Sequence, residues 1–328
     1  MPGVIPTGMM RLALLIGVTA ALAFPAGAKD ARLVREGFED IAFAADFVAC
    51  ERPEGAISLT RERARTGSQA LKLRIREPVF GTATWVPKAT SCLVEGRYTE
   101  YTPDEKERAE IWESFDLGPS FGDDLYYGFS MWIDRASAPK GDDTRLVIGQ
   151  WKAPIDDSPF VAQRFTGGHY HVTLDVDAAE RDPATGRPYG CKLLLAFAED
   201  MALAEGLRRT TPTRCEPKLG GPQILLTPAR PIAIERLAYL PDPFGQWTDL
   251  VFRVKGGENG AVAVWANGQM IARATGFVGH GGAAGQPQYF KFGPYRDPAS
   301  FATTVYLDNL ARGASFGDVD PSQPLAQQ

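Results

Sequence analysis

Short stretches in which apolar and polar residues alternate dominate the chain. Residues 71–76 (LKLRIR) alternate aliphatic and cationic side chains, the period-two signature of a strand with one buried face. The same reading predicts strands over 126–133 (YYGFSMWI), 145–151 (RLVIGQW), 170–176 (YHVTLDV), 248–254 (TDLVFRV), 261–265 (AVAVW), 288–292 (QYFKF) and 304–310 (TVYLDNL). Between them, residues 256–260 (GGENG) and the Asn267-Gly268 pair are hairpin signals, because Gly and Asn reach positive φ at low cost. Many short strands with Gly and Pro punctuation predict an all-β sandwich or jelly roll. One segment breaks the pattern. Residues 192–209 (KLLLAFAEDMALAEGLRR) are rich in Ala, Leu and Glu and predict a helical excursion.

The first residues read as an export signal rather than as part of the fold. Arg11 precedes an apolar run over residues 12–24, and Ala26-Gly27-Ala28 follows it, giving the charged, apolar and small-residue regions of a cleavable signal. The run is too short to cross a bilayer. The expected organisation is a signal over 1–28, a single jelly-roll domain over 29–318 and a flexible tail over 319–328. A domain of that length is within reach of an all-β sandwich. The formal net charge of the whole chain is −5, which excludes the basic surface of a nucleic-acid binder but still permits cations gathered in one cleft. Four cysteines, Cys50, Cys92, Cys191 and Cys215, behind an export signal suggest disulfides. Three pairings are open; Cys50–Cys92 with Cys191–Cys215 is favoured, because each closes a local excursion. No C-x-x-C spacing supports a metal site.

Strand alternation sorts candidate chemistry onto faces. Over residues 288–295, Gln288, Phe290 and Phe292 share one side; Tyr289, Lys291, Gly293 and Tyr295 share the other. The second side offers two phenols, an amine and a bare backbone where a ligand could sit. An ordinary solvated face fits the same pattern. Pro294 cannot donate to a ladder, so the strand should lie at an edge or bend there. In the predicted strand around residue 170, His169, His171, Thr173 and Asp175 share a polar face; two of the three histidines therefore stand together where an acid or base is useful, or on a plain solvent face. His280, in a glycine-rich loop, is a further candidate. Gln150 and Lys152 share a face opposite Trp151, and Arg108 and Glu110 share one if their segment is a strand.

In order along the chain, these motifs resemble the jelly-roll polysaccharide lyases: the heparin lyase I group above all, and with it alginate lyases of family 7 and glucuronan lyases of family 20. The resemblance runs from Gly37-Phe38-Glu39 to Leu307-Asp308-Asn309. Arg108-Ala109-Glu110-Ile111 resembles the family's R-x-E-L stretch, and Gln150-Trp151-Lys152 its Q-W-H or Q-I-H stretch. Tyr127-Gly128-Phe129-Ser130, Trp247-Thr248-Asp249-Leu250 and Trp265-Ala266-Asn267-Gly268 add weaker matches. Tyr289 to Arg296 (YFKFGPYR) is close to Y-F-K-x-G-x-Y-R, the most specific of them. The resemblance implies a concanavalin A-like sandwich that cleaves an anionic, uronate-containing polysaccharide by β-elimination. It implies Tyr295 as the proton carrier, Lys291 in the same site, and Gln150 and Arg108 neutralising the substrate carboxylate. Tyr289, Glu110, Arg296 and His280 would contact substrate.

One position departs from the pattern, since Lys152 stands where the family carries histidine. An ordinary lysine, with a pKa near about 10.4, is a poor base at neutral pH. Lys152 could be a base with a depressed pKa, or a cation that neutralises the carboxylate while His169 or His171 supplies the base, or the mark of a protein that only binds. The second reading is preferred, because the histidines already share a polar face. A non-catalytic carbohydrate-binding jelly roll is the alternative from another class. A glycoside hydrolase is disfavoured, since paired carboxylates at the usual E-x-D-x-x-E spacing are missing and Glu110 with Glu113 is a weak substitute. No cofactor is required; a structural calcium ion would suit the fold, although no acidic ligand loop stands out. The expected partner is the polysaccharide alone, with no nucleic acid, no membrane after signal cleavage and a monomeric state. The expected location is secreted or periplasmic.

Overall fold

A computed structural model describes residues 33–40, 47–52, 55–76, 91–94, 97–100, 107–113, 119–139, 145–155, 158–204, 215 and 226–323. The predicted signal segment lies outside them. Among the described residues the chain forms β1 (Val34–Glu36), β2 (Phe47–Arg52), β3 (Ile57–Thr60), β4 (Ala70–Ile75), β5 (Ser91–Val94) and β6 (Arg97–Glu100). Then come β7 (Glu107–Glu113), β8 (Leu125–Ile133), β9 (Leu146–Lys152), β10 (Val161–Thr166), β11 (His169–Arg181) and β12 (Pro188–Phe197). A short helix α1 (Glu199–Ala204) precedes β13 (Ile232–Arg236), β14 (Trp247–Lys255), β15 (Gly257–Ala266), β16 (Gln269–Val278), β17 (Tyr289–Arg296) and β18 (Thr303–Gly313), with α2 (Phe316–Val319) last.

Two antiparallel sheets pack face to face. The first runs β13-β16-β15-β14-β8-β18-β4-β3, with β1 also on β18; the second runs β12-β11-β10-β9-β17-β7-β2; β5 and β6 form a separate hairpin. The alternation that predicted each strand also decides what fills the space between the sheets. Leu71, Leu73, Phe129, Met131, Phe252 and Leu307 of the first sheet meet Ile111, Ile148, Trp151, Leu174, Phe290 and Phe292 of the second in one core. Burying each such side chain contributes about 1.5–3 kcal/mol. Trp151 stacks on Phe290 with centroids 4.5 Å apart, and Phe290 lies 5.6 Å from Phe129 across the sheets. A slip of one residue in β17 or β9 would drive Lys291 and Gln150 into this core, so the core sets which side chains reach the outer face of the second sheet.

Two expectations need correction. Residues 192–197 are not helical: they complete β12, paired with β11 through Lys192↔Asp175, Leu193↔Leu174 and Leu194↔Thr173. Leu193 and Leu195 are fully buried while Lys192 and Leu194 are partly exposed, so pairing against β11 outweighs the helix propensity of Ala and Leu. Only Glu199–Ala204 is helical there; residues 205–209 lie outside the described residues. The predicted flexible tail begins inside ordered structure. Val319, the last residue of α2, is 2% exposed and packs on Val251 and Ala311, and description continues to residue 323.

The Cys191–Cys215 disulfide is present, with Cα atoms 5.0 Å apart, and ties β12 to the chain beyond α1 rather than pinning a helix. Cys50 is also disulfide-bonded; the side chain of its expected partner, Cys92, lies outside the described residues. The Asn267-Gly268 turn is as predicted, both residues having positive φ (50° and 77°) between β15 and β16.

Candidate active site

Three neighbouring strands of the second sheet, β7, β17 and β9, bring most of the singled-out side chains together on the face away from the core. Lys291 stands between Trp112 on β7 and Gln150 on β9. Tyr295 stands between Arg108 and Val147, and Tyr289 lies opposite Lys152. Arg108, Glu110, Gln150, Tyr289 and Lys291 are all at least nine-tenths buried.

Glu110 organises the group. It accepts a hydrogen bond from Gln150 Nε2 at 2.7 Å and one from Trp112 Nε1 at 3.3 Å, and Arg108 Nη1 is 3.9 Å away. A carboxylate so occupied fixes its neighbours rather than a substrate, and it would repel an acidic sugar. Gln150 keeps a second N–H on the same amide, without a partner among the described residues. Arg108 in turn lies with its Cζ 4.8 Å from the Tyr295 ring centroid. The Lys291 ammonium sits 3.3 Å over the Trp112 ring and 5.3 Å from that of Tyr289. Burial lowers the Lys291 pKa to about 7; Lys152 and Arg108 push it the same way, against the attraction of Glu110. The lysine with a depressed pKa is therefore Lys291, and Lys152 is one of the charges that depress it.

Gly293 does not open space for a ligand. Its φ is +128°, and a Cβ there would lie 2.0 Å from the carbonyl oxygen of Ala109; the missing side chain lets β17 close onto β7. Pro294 does not mark an edge, since β17 is flanked on both sides. The strand bends instead, with a register shift against β9 between Phe292 and Tyr295.

Four expected contributors lie elsewhere. His169 and His171 are on β11, separated from β17 by β10 and β9, about 14 Å across the sheet at ~4.8 Å per strand. His169 Nδ1 is 2.9 Å from Asp200, and His171 Nδ1 is 3.1 Å from the His169 carbonyl. Burial drops the His171 pKa to about 4, so the ring is neutral in place. His280 is held in its loop, with Nδ1 3.0 Å from Asp177 and Nε2 3.2 Å from the Ser158 carbonyl. Arg296 points to the core side of β17, fully buried, with Glu107 at 2.8 Å and Thr303 at 2.7 Å. These placements take the histidines and Arg296 out of the cluster.

Sequence reasoning missed Trp112 and Arg145. Trp112 follows Glu110 on the same face and was legible by alternation. Arg145 was hidden by a bulge: counting back from Gln150 puts it on the core side with Trp151, but the pairing with β10 shifts between Gly149 and Val147. The shift returns Arg145 to the outer face, where its Cζ lies 5.1 Å from the Tyr295 ring and its Nη2 donates to the phenolic oxygen at 3.4 Å.

One sheet of this two-sheet jelly roll thus carries arginine, glutamine, lysine and a phenol around Glu110 on its outer face. A family model described as "Polysaccharide lyase" matches residues 42–311, and the chain belongs to that polysaccharide lyase family. No curated protein sequence matches it. Among solved structures, the endo-β-1,4-glucuronan lyase of the fungus Trichoderma reesei is 14% identical with a TM-score of 0.51, covering 86% of this chain and 100% of its own; this likeness shows the fold. The alginate lyase of Klebsiella pneumoniae is 11% identical, TM-score 0.44, covering 84% and 98% of the two chains. Alginate lyase A1-II', a member of polysaccharide lyase family 7, is 12% identical, TM-score 0.41, covering 81% and 93%.

Proposed function

We propose that this polysaccharide lyase cleaves a uronate-containing polymer by β-elimination on the outer face of β7, β17 and β9, with Tyr295 as the proton carrier. The observation that carries the reading is the unbroken run of contacts from Tyr295 to Arg108, Glu110 and Gln150, with Lys291 beside it. Arg108 and the second N–H of Gln150 neutralise the substrate carboxylate, which acidifies the C5 proton; donors fixed in advance stabilise the charge that develops there. Lys291 and Lys152 add positive charge beside that carboxylate. Tyr295 removes the C5 proton and returns a proton to O4 as the C4–O4 bond breaks. His169 and His171, three strands away, are not needed as the base. Within the family, the YFKFGPYR strand favours the heparin lyase I-like group. The export signal would deliver the enzyme, as a single-domain monomer, outside the cytoplasm, and the reaction asks for no cofactor.

The test is incubation with alginate, glucuronan and heparin, following the ultraviolet absorbance of the unsaturated product. Tyr295→Phe is expected to lower kcat by about 10²–10⁴ while polymer affinity is kept. Binding without product from any polymer would make the protein a carbohydrate-binding jelly roll instead.

A further inference from the structure

We infer that Arg145 is a positioning residue for Tyr295, stabilising its phenolate so that one side chain serves as base as well as acid. The inference rests on the elimination proposed above. A phenol near its ordinary pKa of about 10 is protonated at neutral pH and cannot accept the C5 proton. No imidazole lies beside Tyr295: Lys152 occupies the position where the family resemblance expects histidine, and His171 is on β11. Among the described residues, two guanidinium groups lie beside Tyr295. Arg108 Cζ is 4.8 Å from its ring centroid and Arg145 Cζ is 5.1 Å, with Arg145 Nη2 3.4 Å from the phenolic oxygen. A guanidinium keeps its charge across the working pH range, and a cation at about 4–6 Å favours the ionised form of an acid. Both share their charge with a carboxylate, Arg108 with Glu110 and Arg145 with Asp297; of the two, Arg145 also donates toward the oxygen itself.

Arg145 is built into place. Its Nη2 meets Asp297 Oδ1 at 3.1 Å, its backbone N–H meets Oδ2 at 3.3 Å, and the Asp297 N–H returns to the Arg145 carbonyl at 3.1 Å. These three hydrogen bonds join the start of β9 to the end of β17, so the arginine moves with the strand that carries Tyr295. Among the described residues, the charged groups facing the phenol are Arg108 and Glu110 from β7, Arg145 before β9 and Arg164 on β10 behind Val147. Lys291 and Asp297 flank it along its own strand. Cations outnumber carboxylates, which favours phenolate.

The step balances without a co-reactant. The phenolate oxygen takes the C5 proton, the C5–H electron pair becomes the C4=C5 double bond, the C4–O4 bond breaks, and O4 takes the proton from the phenol, restoring the phenolate.

The experiment measures kcat/KM against pH for the wild type, Arg145→Gln and Arg145→Lys. In parallel it titrates the tyrosinate ultraviolet absorbance of each, with Tyr295→Phe as the blank. Arg145→Gln is expected to move the acidic limb and the phenol midpoint upward together by about one pH unit. That is a loss of about tenfold at neutral pH that recovers in alkaline buffer, with Arg145→Lys recovering part of it. A loss equal at every pH, or an unmoved phenol midpoint, overturns the inference. If the wild type yields no unsaturated product from any uronate polymer, the proposed function falls, and the phenol titration still decides the role of Arg145.

Discussion

His171 shows how far a residue's meaning depends on its depth. On the sequence it is one of two histidines on a polar strand face, a natural acid or base. In the fold it is 2% exposed, and burial lowers its pKa from 6.5 to about 4. The sign follows directly. Between pH 6.5 and 4 the unfolded chain binds a proton on this ring that the folded chain refuses, so stability falls as pH drops through that window. His171→Gln should flatten the acid limb of the stability profile, by roughly 1–3 kcal/mol at pH 4, as read by urea denaturation at a series of pH values. A pH-independent change would refute the assignment. Tyr295, Arg108, Gln150 and Lys291 were legible as residues, because motif order and alternation both point to them. The depressed pKa of Lys291 was not, since it comes first from burial in the folded sheet and then from Lys152 and Arg108 arriving from other strands.

At the scale of elements, period-two alternation found the central strands but failed where it met strong helix formers or an irregular ladder. Leu193 and Leu195 alternate with Lys192 and Leu194, yet the Ala- and Leu-rich run reads as helix until β11 supplies a partner. The bulge in β9 hid Arg145 for a related reason, as one extra residue inverts every face upstream of it. Strand β17 is also held from outside its own sheet. Glu113, at the end of β7, accepts the Phe290 backbone N–H at 2.6 Å and pairs with Arg312 of β18 at 2.6 Å, and Tyr127 of β8 donates to it at 3.3 Å. Glu113 and Arg312 are 2% and 4% exposed as side chains. Glu113→Ala would remove the buried carboxylate that pairs with Arg312 and is expected to cost about 3–5 kcal/mol in chemical denaturation. Replacing Arg312 by Met in the same chain should restore part of the stability. If the single variant lost less than about 1 kcal/mol, the pair would not be holding the sheets together.

For the whole molecule, the sandwich was readable because nearly every strand carries its own pattern and its own turn; the layering follows once both sheets hide their apolar faces. The strand order was not readable, because β17 pairs with β9 and β7 across more than a hundred residues of chain. The net charge of −5 conceals a cationic face on which Arg108, Arg145, Lys152, Arg164 and Lys291 stand on neighbouring strands. A polyanion should be drawn there and repelled elsewhere. Raising salt from ~0.05 M to ~0.5 M is therefore expected to raise KM several-fold with little change in kcat, measured by initial rates on a uronate polymer. An unchanged KM would mean that the cationic face does not gather substrate. The Glu113–Arg312 tie carries a consequence for descent as well. Two residues in different sheets, 199 positions apart, share one buried charge balance, so neither can drift alone. Lineages that lose the acid at position 113 should lose the base at position 312 with it, and the pair should be inherited as a unit although only one member lies on the strand beside β17.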